Sequence, residues 1–155
     1  MRNSIFKTPS SLEILYGKGV KETYMVHPFG GVDEFPSYVY PLSDENLQII
    51  PEDCPYGTYR IGYVHCDKFF VRYIGRSDHH EGGLRARVAE HVGKFEGEPY
   101  FTFYEAGSAR EAYENECKDF HGFYEGEDGF LINHIHPAKP AEENTLHCPI
   151  LMCEK

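Results

Sequence analysis

Two alternating segments lie only a few residues apart, and they restrict the possible folds more than any other feature of this chain. Residues 58–64 put Tyr59, Ile61 and Tyr63 on one side, and residues 69–74 put Phe69, Val71 and Tyr73 on one side. His65-Cys66-Asp67 between them reads as a three-residue hairpin loop. In that register Val64 faces Lys68 and Tyr59 faces Tyr73, so the two tyrosines share a face of the sheet. A two-residue loop would part them.

Helical spacing follows. Over residues 83–95, Leu84, Val88, Val92 and Phe95 fall on one narrow apolar stripe at about 100° per residue. Arg87 and His91, four residues apart, sit together on its flank. Residues 100–105 read as a third strand. Ser108-Ala109-Arg110-Glu111 is a capping box that opens a second helix to about residue 120. On that helix Ala109, Ala112, Tyr113, Cys117 and Phe120 face inward, while Glu111, Glu114 and Asn115 face out. Glu116 falls inside the apolar stripe. A buried, unpaired carboxylate is costly, so Glu116 needs a cation, a metal or a proton, unless it reaches a loop arginine or the helix edge. The order strand, strand, helix, strand, helix predicts an α/β domain of α+β type: a small three-stranded, mainly antiparallel sheet flanked by helices.

The expected domain occupies residues 56–140, with an irregular N-terminal extension over 1–55, packed on or beside the core, and a tail over 141–155. In the extension, Ser10-Ser11-Leu12-Glu13 resembles a capping box for a short helix. Turn-rich stretches follow around Pro28 and Pro36, then a strand at Tyr38-Val39-Tyr40. Pro51 and Pro55 mark a linker. No run of apolar residues is long enough to span a membrane, and the first residues lack the apolar stretch of a secretory signal. Five cysteines, an odd number, do not read as a disulfide framework. These features predict a reduced, soluble, cytoplasmic protein with no membrane partner. The net charge of −10 argues against a nucleic-acid partner. It is unevenly spread, however. Residues 57–95 hold 7 basic side chains (Arg60, Lys68, Arg72, Arg76, Arg85, Arg87, Lys94) against 4 acids (Asp67, Asp78, Glu81, Glu90), a local balance of +3.

Gly57-Thr58-Tyr59 and Tyr73-Ile74-Gly75-Arg76-Ser77, joined by a hairpin, resemble the paired motifs of the GIY-YIG nucleases. That family includes the nuclease half of excision-repair endonucleases, homing endonucleases and some restriction enzymes. Leu84-Arg85-Ala86-Arg87 with His91 is similar to the family's arginine helix, and Glu111-Ala112 followed by Glu116 to its metal-binding helix. The likeness covers residues 56–140. Thr58 replaces the usual aliphatic residue, and Pro140 stands about where the family has an asparagine. Asn133 and Asn144 are candidates for that role at altered spacing. Residues 121–129 look like an insertion beside the site.

The resemblance implies a metal-dependent endonuclease that hydrolyses nucleic acid, DNA first, with one Mg²⁺ or Mn²⁺ held by Glu116. Arg87 would bind the phosphate and stabilise transition-state charge. Tyr59 would be the general base, provided nearby cations lower its pKa from about 10. Tyr73 and His91 would orient water, base and phosphate. Arg76, Arg85 and Asn133 would contact substrate. Taken singly these residues also fit ordinary roles, as cross-strand packing or a solvated helix flank. Two rival functions remain: a nucleic-acid-binding module of the same fold without cleavage, and a protein-interaction domain favoured by the acidic charge. The tail's Cys148/Cys153 spacing (C-x₄-C), with His147 nearby, lacks the paired short spacings usual for structural zinc. Cys117, on the apolar stripe, reads as a core thiol rather than a nucleophile.

Overall fold

The expected hairpin is the centre of a larger sheet. The computed structural model describes residues 24–25, 38–65, 68–78, 81–124, 131–133 and 135–155. The strands are β1 (Tyr24–Met25), β2 (Tyr38–Pro41), β3 (Tyr56–His65), β4 (Lys68–Asp78) and β5 (Tyr100–Glu105). The helices are α1 (Gly83–Ala89) and α2 (Ala109–Tyr124), with a 3-10 turn at Asn46–Ile49. The helix expected after Ser10 and the turns around Pro28 and Pro36 lie outside the described residues.

All strand pairs are antiparallel, in the order β1-β2-β5-β3-β4. The three expected strands form the β5-β3-β4 core of this sheet, but three is too few. β2 adds to the free edge of β5 through Tyr40↔Phe101 and Pro41↔Tyr100, and β1 lies beyond it. Tyr38-Val39-Tyr40 is thus a sheet strand, although it comes from the expected extension. Nor do residues 50–55 form a linker. Ile50 and Cys54 are buried with Leu47, Leu84 and Val88, and the Cys54 carbonyl accepts from the Leu84 amide at 2.8 Å.

The hairpin register also differs from expectation, and two departures offset one another. His65 pairs with Lys68, so the connection is Cys66-Asp67, one residue shorter than predicted. That shift alone would put Tyr59 and Tyr73 on opposite faces. A β-bulge then intervenes: Ile61 pairs with Tyr73 but Gly62 with Val71, leaving Arg72 as the extra residue. The bulge reverses the alternation, so Phe69, Val71 and Ile74 pack on the α2 side while Tyr73 turns to the α1 side. Tyr59 faces Gly75 instead of Tyr73, and the two tyrosine rings meet diagonally, 6.2 Å apart and stacked. A side chain at Gly62 would come within 1.9 Å of the Phe70 carbonyl oxygen. Only glycine lets the strands approach this closely at the bulge.

Both faces of the sheet are covered. Tyr59, Ile61 and Phe101 pack under α1 and the 3-10 turn, and Val71, Ile74 and Tyr100 pack under α2 with Phe120 and Leu131. The α1 helix is shorter than its apolar spacing predicts. After Ala89 the chain continues in turns, with i→i+3 bonds such as His91 N to Val88 O at 3.0 Å, and Gly93 takes a φ of 79°. Val92 and Phe95 still pack on the core. The α2 cap forms as expected, the Glu111 amide donating to Ser108 Oγ at 3.1 Å. The inward stripe Ala109, Ala112, Tyr113, Cys117 and Phe120 is buried. α2 runs on through His121 to Tyr124, so the start of the expected insertion is helical. Arg60 ties α2 to the sheet, donating to both oxygens of Asp119 at 2.7 and 3.0 Å between the rings of Tyr104 and Phe123. Among the described residues no helix is long and apolar enough to cross a membrane.

Candidate active site

β4 is the last strand of the sheet, so side chains from both faces reach its outer edge. Ile132 donates its amide to the Arg72 carbonyl at 2.6 Å. Asn133 mimics a strand, accepting from the Ile74 amide and donating to the Ile74 carbonyl, both at 2.9 Å. Next to this clamp opens a cleft of about 590 Å³ whose lining includes Tyr73, Arg76, Arg87, Asn133 and Glu116. These residues come from β4, α1, α2 and the segment after α2.

Behind Tyr73 lies a ring cluster. Tyr59 and His91 share a hydrogen bond of 2.7 Å between the phenol oxygen and Nε2. The Tyr73 and His91 rings are 4.8 Å apart, with Phe95 edge-on to Tyr73. The predicted group of Tyr59, Tyr73 and His91 is therefore assembled, but only Tyr73 lines the cleft. Tyr59 is fully buried. Burial, and then the neighbouring Tyr73, push its phenol well above the ordinary tyrosine range, and the opposing charge of Arg87 does not offset them. A basic Tyr59 requires a lowered pKa, and burial shifts this phenol the other way. His91 moves the other way. Burial, then Arg87 and Lys94, bring its imidazole down to about 4, and it is neutral at pH 7.

Glu116 meets an arginine. Its carboxylate accepts from Arg76, which also donates to Asp78 Oδ2 at 2.8 Å and to the Ala138 carbonyl, while its guanidinium lies 5.3 Å from the centre of the Tyr113 ring. This is the pairing that the helical pattern left open, although the partner is a strand residue and the pair lines an open cleft. Burial raises the Glu116 pKa despite Arg76, with Asp78 and Asp119 adding to the effect. Glu116, Asp78 and Ala138 present only oxygens to the guanidinium. Hard divalent ions such as Mg²⁺ and Mn²⁺ select such donors. The donor type fits the implied ion, which would have to replace the guanidinium.

The remaining predicted contacts divide. Arg87 stands on the cleft wall, half-exposed, and pairs with Glu90 at 2.7 Å. Arg85 turns away and donates Nε to the Ile50 carbonyl at 2.9 Å. That bond ties the 3-10 segment to α1, and Arg85 is not part of the cleft lining. Asn133 lies at the cleft, with its amide hydrogen-bonded to both backbone groups of Ile74. Asn144 is exposed and does not line the cleft. Of the seven basic side chains behind the local balance of +3, Arg60, Arg76, Arg85 and Arg87 are each engaged by a protein acceptor. Cys117 is buried and its thiol is pushed up to about 12, as suits a core residue. Sequence reasoning missed Asp78 and the Ala138 carbonyl as partners of the Arg76–Glu116 pair, since neither has a spacing relation to α2.

No family model, curated protein or solved structure matches this chain.

Proposed function

We propose that the cleft at the β4 edge binds a nucleic-acid phosphodiester and that the protein is a metal-dependent endonuclease with a GIY-YIG-like site, DNA being the first substrate to test. The observation that carries the reading is the joint lining of one cleft by Tyr73, Arg87 and Glu116, backed by Tyr59 and His91. An aromatic hydroxyl, an arginine and a largely buried carboxylate thus meet at one open edge of the sheet.

Charge explains why a divalent ion is part of the proposal. The lining has two arginines, Arg76 and Arg87, and three carboxylates, Asp78, Glu116 and Glu142, a formal balance of −1 that repels phosphate. A divalent cation would bring it to +1. When bound at Glu116 it would supply Lewis-acid polarisation of the phosphoryl group and offset charge on the leaving oxygen. Arg87, released from Glu90, would grip two phosphate oxygens and stabilise charge in the transition state. Tyr73 would orient the attacking water from the cleft floor, held in place by His91 and Tyr59.

A second reading is favoured by the Arg76–Glu116 pair: with a guanidinium seated among the hard oxygens, the protein binds nucleic acid without cutting it. One experiment separates the two. Supercoiled plasmid, branched DNA and RNA are incubated with Mg²⁺, Mn²⁺, no added metal, or EDTA. The endonuclease cuts only with metal. Glu116→Gln abolishes cleavage while binding is kept or tightened, since one negative charge leaves the phosphate site. Arg87→Ala weakens both and lowers the salt slope by about one phosphate contact. Binding without cleavage under every metal supports the second reading. Neither binding nor cleavage removes nucleic acid from consideration and leaves a protein-interaction domain.

A further inference from the structure

Away from the cleft, the C-terminal segment lies against the last turns of α2 with little to hold it. Residues 141–155 form no helix or strand. Their apolar contact with α2 is small, Leu146, Cys148, Ile150 and Cys153 meeting Tyr113 and Cys117. At this junction two histidines and two cysteines come together. His121 is on α2, His136 on the segment returning from it, and Cys148 and Cys153 on the tail. One ligand atom from each lies within 4.8 Å of the others.

We propose that His121, His136, Cys148 and Cys153 form a structural zinc site. Two of the six ligand–ligand edges match tetrahedral coordination, and the others lie within 4.8 Å. Zn–S near 2.3 Å and Zn–N near 2.05 Å give an S···N edge of roughly 3.5 Å. His121 Nε2 to Cys148 Sγ and His136 Nε2 to Cys153 Sγ are each 3.5 Å. The tautomer of His136 also fits. Its Nδ1 lies 3.0 Å from the Pro137 carbonyl oxygen, which can only accept, so Nδ1 carries the proton and Nε2 offers its lone pair toward Cys153. Metal-bound histidines are commonly oriented by such a bond.

The backbone between the cysteines bends to suit. Met152 takes a φ of 75°, the left-handed region that non-glycine residues seldom enter, immediately before Cys153. Its side chain is exposed, so packing gives no reason for the strain. Ile150 O accepts from the Cys153 amide at 3.1 Å and closes the turn. Two thiolates and two neutral imidazoles balance the ion's charge, and the four residues are sheltered without being sealed, Cys148 being buried and the others partly so. The sequence spacings of 14, 11 and 4 intervening residues resemble no compact zinc motif, because the ligands converge only through folding.

The site has a structural consequence. The chain between His136 and Cys148 contains Ala138, Ala141 and Glu142, which form one wall of the β4-edge cleft. Zinc would brace that wall by fixing both its ends. Chelators would therefore act on the cleft as well as on any ion within it.

The inference does not depend on the nuclease proposal, and its test does not measure cleavage. The full chain is purified under reducing conditions without chelator, and its metal content is measured by plasma mass spectrometry. One zinc per chain is expected. Co²⁺ added to the metal-free chain should give the strong visible bands of a tetrahedral ion together with thiolate-to-cobalt charge transfer, and one equivalent of Zn²⁺ should erase both. Cys153→Ser or His136→Asn should weaken Zn²⁺ binding by on the order of tenfold or more. Cys54→Ala, away from the cluster, should leave stoichiometry and spectrum unchanged. If the ligand variants do not fold, the wild-type cobalt titration decides alone. Absence of zinc together with no charge-transfer band would show two thiol–imidazole hydrogen bonds and overturn the site. A Cys148–Cys153 disulfide in the freshly purified, metal-free chain would overturn it too.

Discussion

Tyr59 and Tyr73 are separated by access, and their chemistry should follow. Tyr59 is sealed beneath the sheet face with its phenol held protonated, whereas Tyr73 opens onto the cleft. Under the endonuclease reading, Tyr73→Phe should slow single-turnover cleavage by about tenfold to a hundredfold, in the range of a lost water-orienting or proton-transfer contact. Tyr59→Phe should slow it several-fold at most and lower stability by about 1 kcal/mol through the lost bond to His91. The reverse order would return the base role to Tyr59. Glu116 illustrates how far a residue can be read alone. The helical wheel shows that the carboxylate must meet a compensating group, but not which one. Arg76 lies 40 residues earlier, and only the crossing of β4 under α2 brings the two together.

At the scale of the hairpin, the glycines of the two motifs are explained by close approach and not by turns. A Cβ at Gly75 would lie 2.3 Å from the Tyr59 ring, and one at Gly57 would lie 2.6 Å from the Tyr104 carbonyl oxygen. Tyr59 has no exposed surface and no room to withdraw. Gly75→Ala should therefore destabilise the fold by about 1–3 kcal/mol through overpacking. A urea-unfolding series reads this as a lower midpoint at unchanged slope. In a Tyr59→Ala background the same substitution should have a much smaller effect, because the obstructing ring is gone. An equal penalty in both backgrounds would locate the strain in the β4 backbone. The turn signals and alternation revealed the hairpin, yet its register rests on the bulge at Arg72, which no periodicity announces.

For the molecule as a whole, His91 links the site to acid stability. Burial and the charges of Arg87 and Lys94 hold its folded pKa at about 4, Glu90 pulling the other way, while Tyr59, Tyr73 and Phe95 enclose the ring. The unfolded chain takes up that proton at about 6.5. Between those values the unfolded state binds more protons, so stability falls as the pH drops from about 6.5 toward about 4. For a ring only partly shielded from water the loss should be about 1–2 kcal/mol. His91→Gln should flatten the stability profile in this window and leave its shape above pH 7 unchanged. A profile of the same slope in the variant would show that groups other than His91 set the acid sensitivity.

Local physics made much of this protein legible before any coordinates. Alternation marked β3 and β4, residues 100–105 read as a third strand, Ser108 and Glu111 marked the start of α2, and the wheel picked out Glu116 among apolar neighbours. Each of these signals acts within a few residues, through side-chain direction or a cap. What the sequence left undecided depends on contacts between distant segments. A single extra residue at Arg72 reverses which face Tyr73 occupies. A free β5 edge turns Tyr38–Pro41 into a strand. Arg60 and Arg76 find their carboxylates on α2, and Arg85 finds its carbonyl at Ile50. The meeting of His121 and His136 with Cys148 and Cys153 requires α2, its return segment and the tail all in place. Spacing encodes the direction of a side chain, and tertiary structure selects its partner, because partners are brought together by the burial of whole elements.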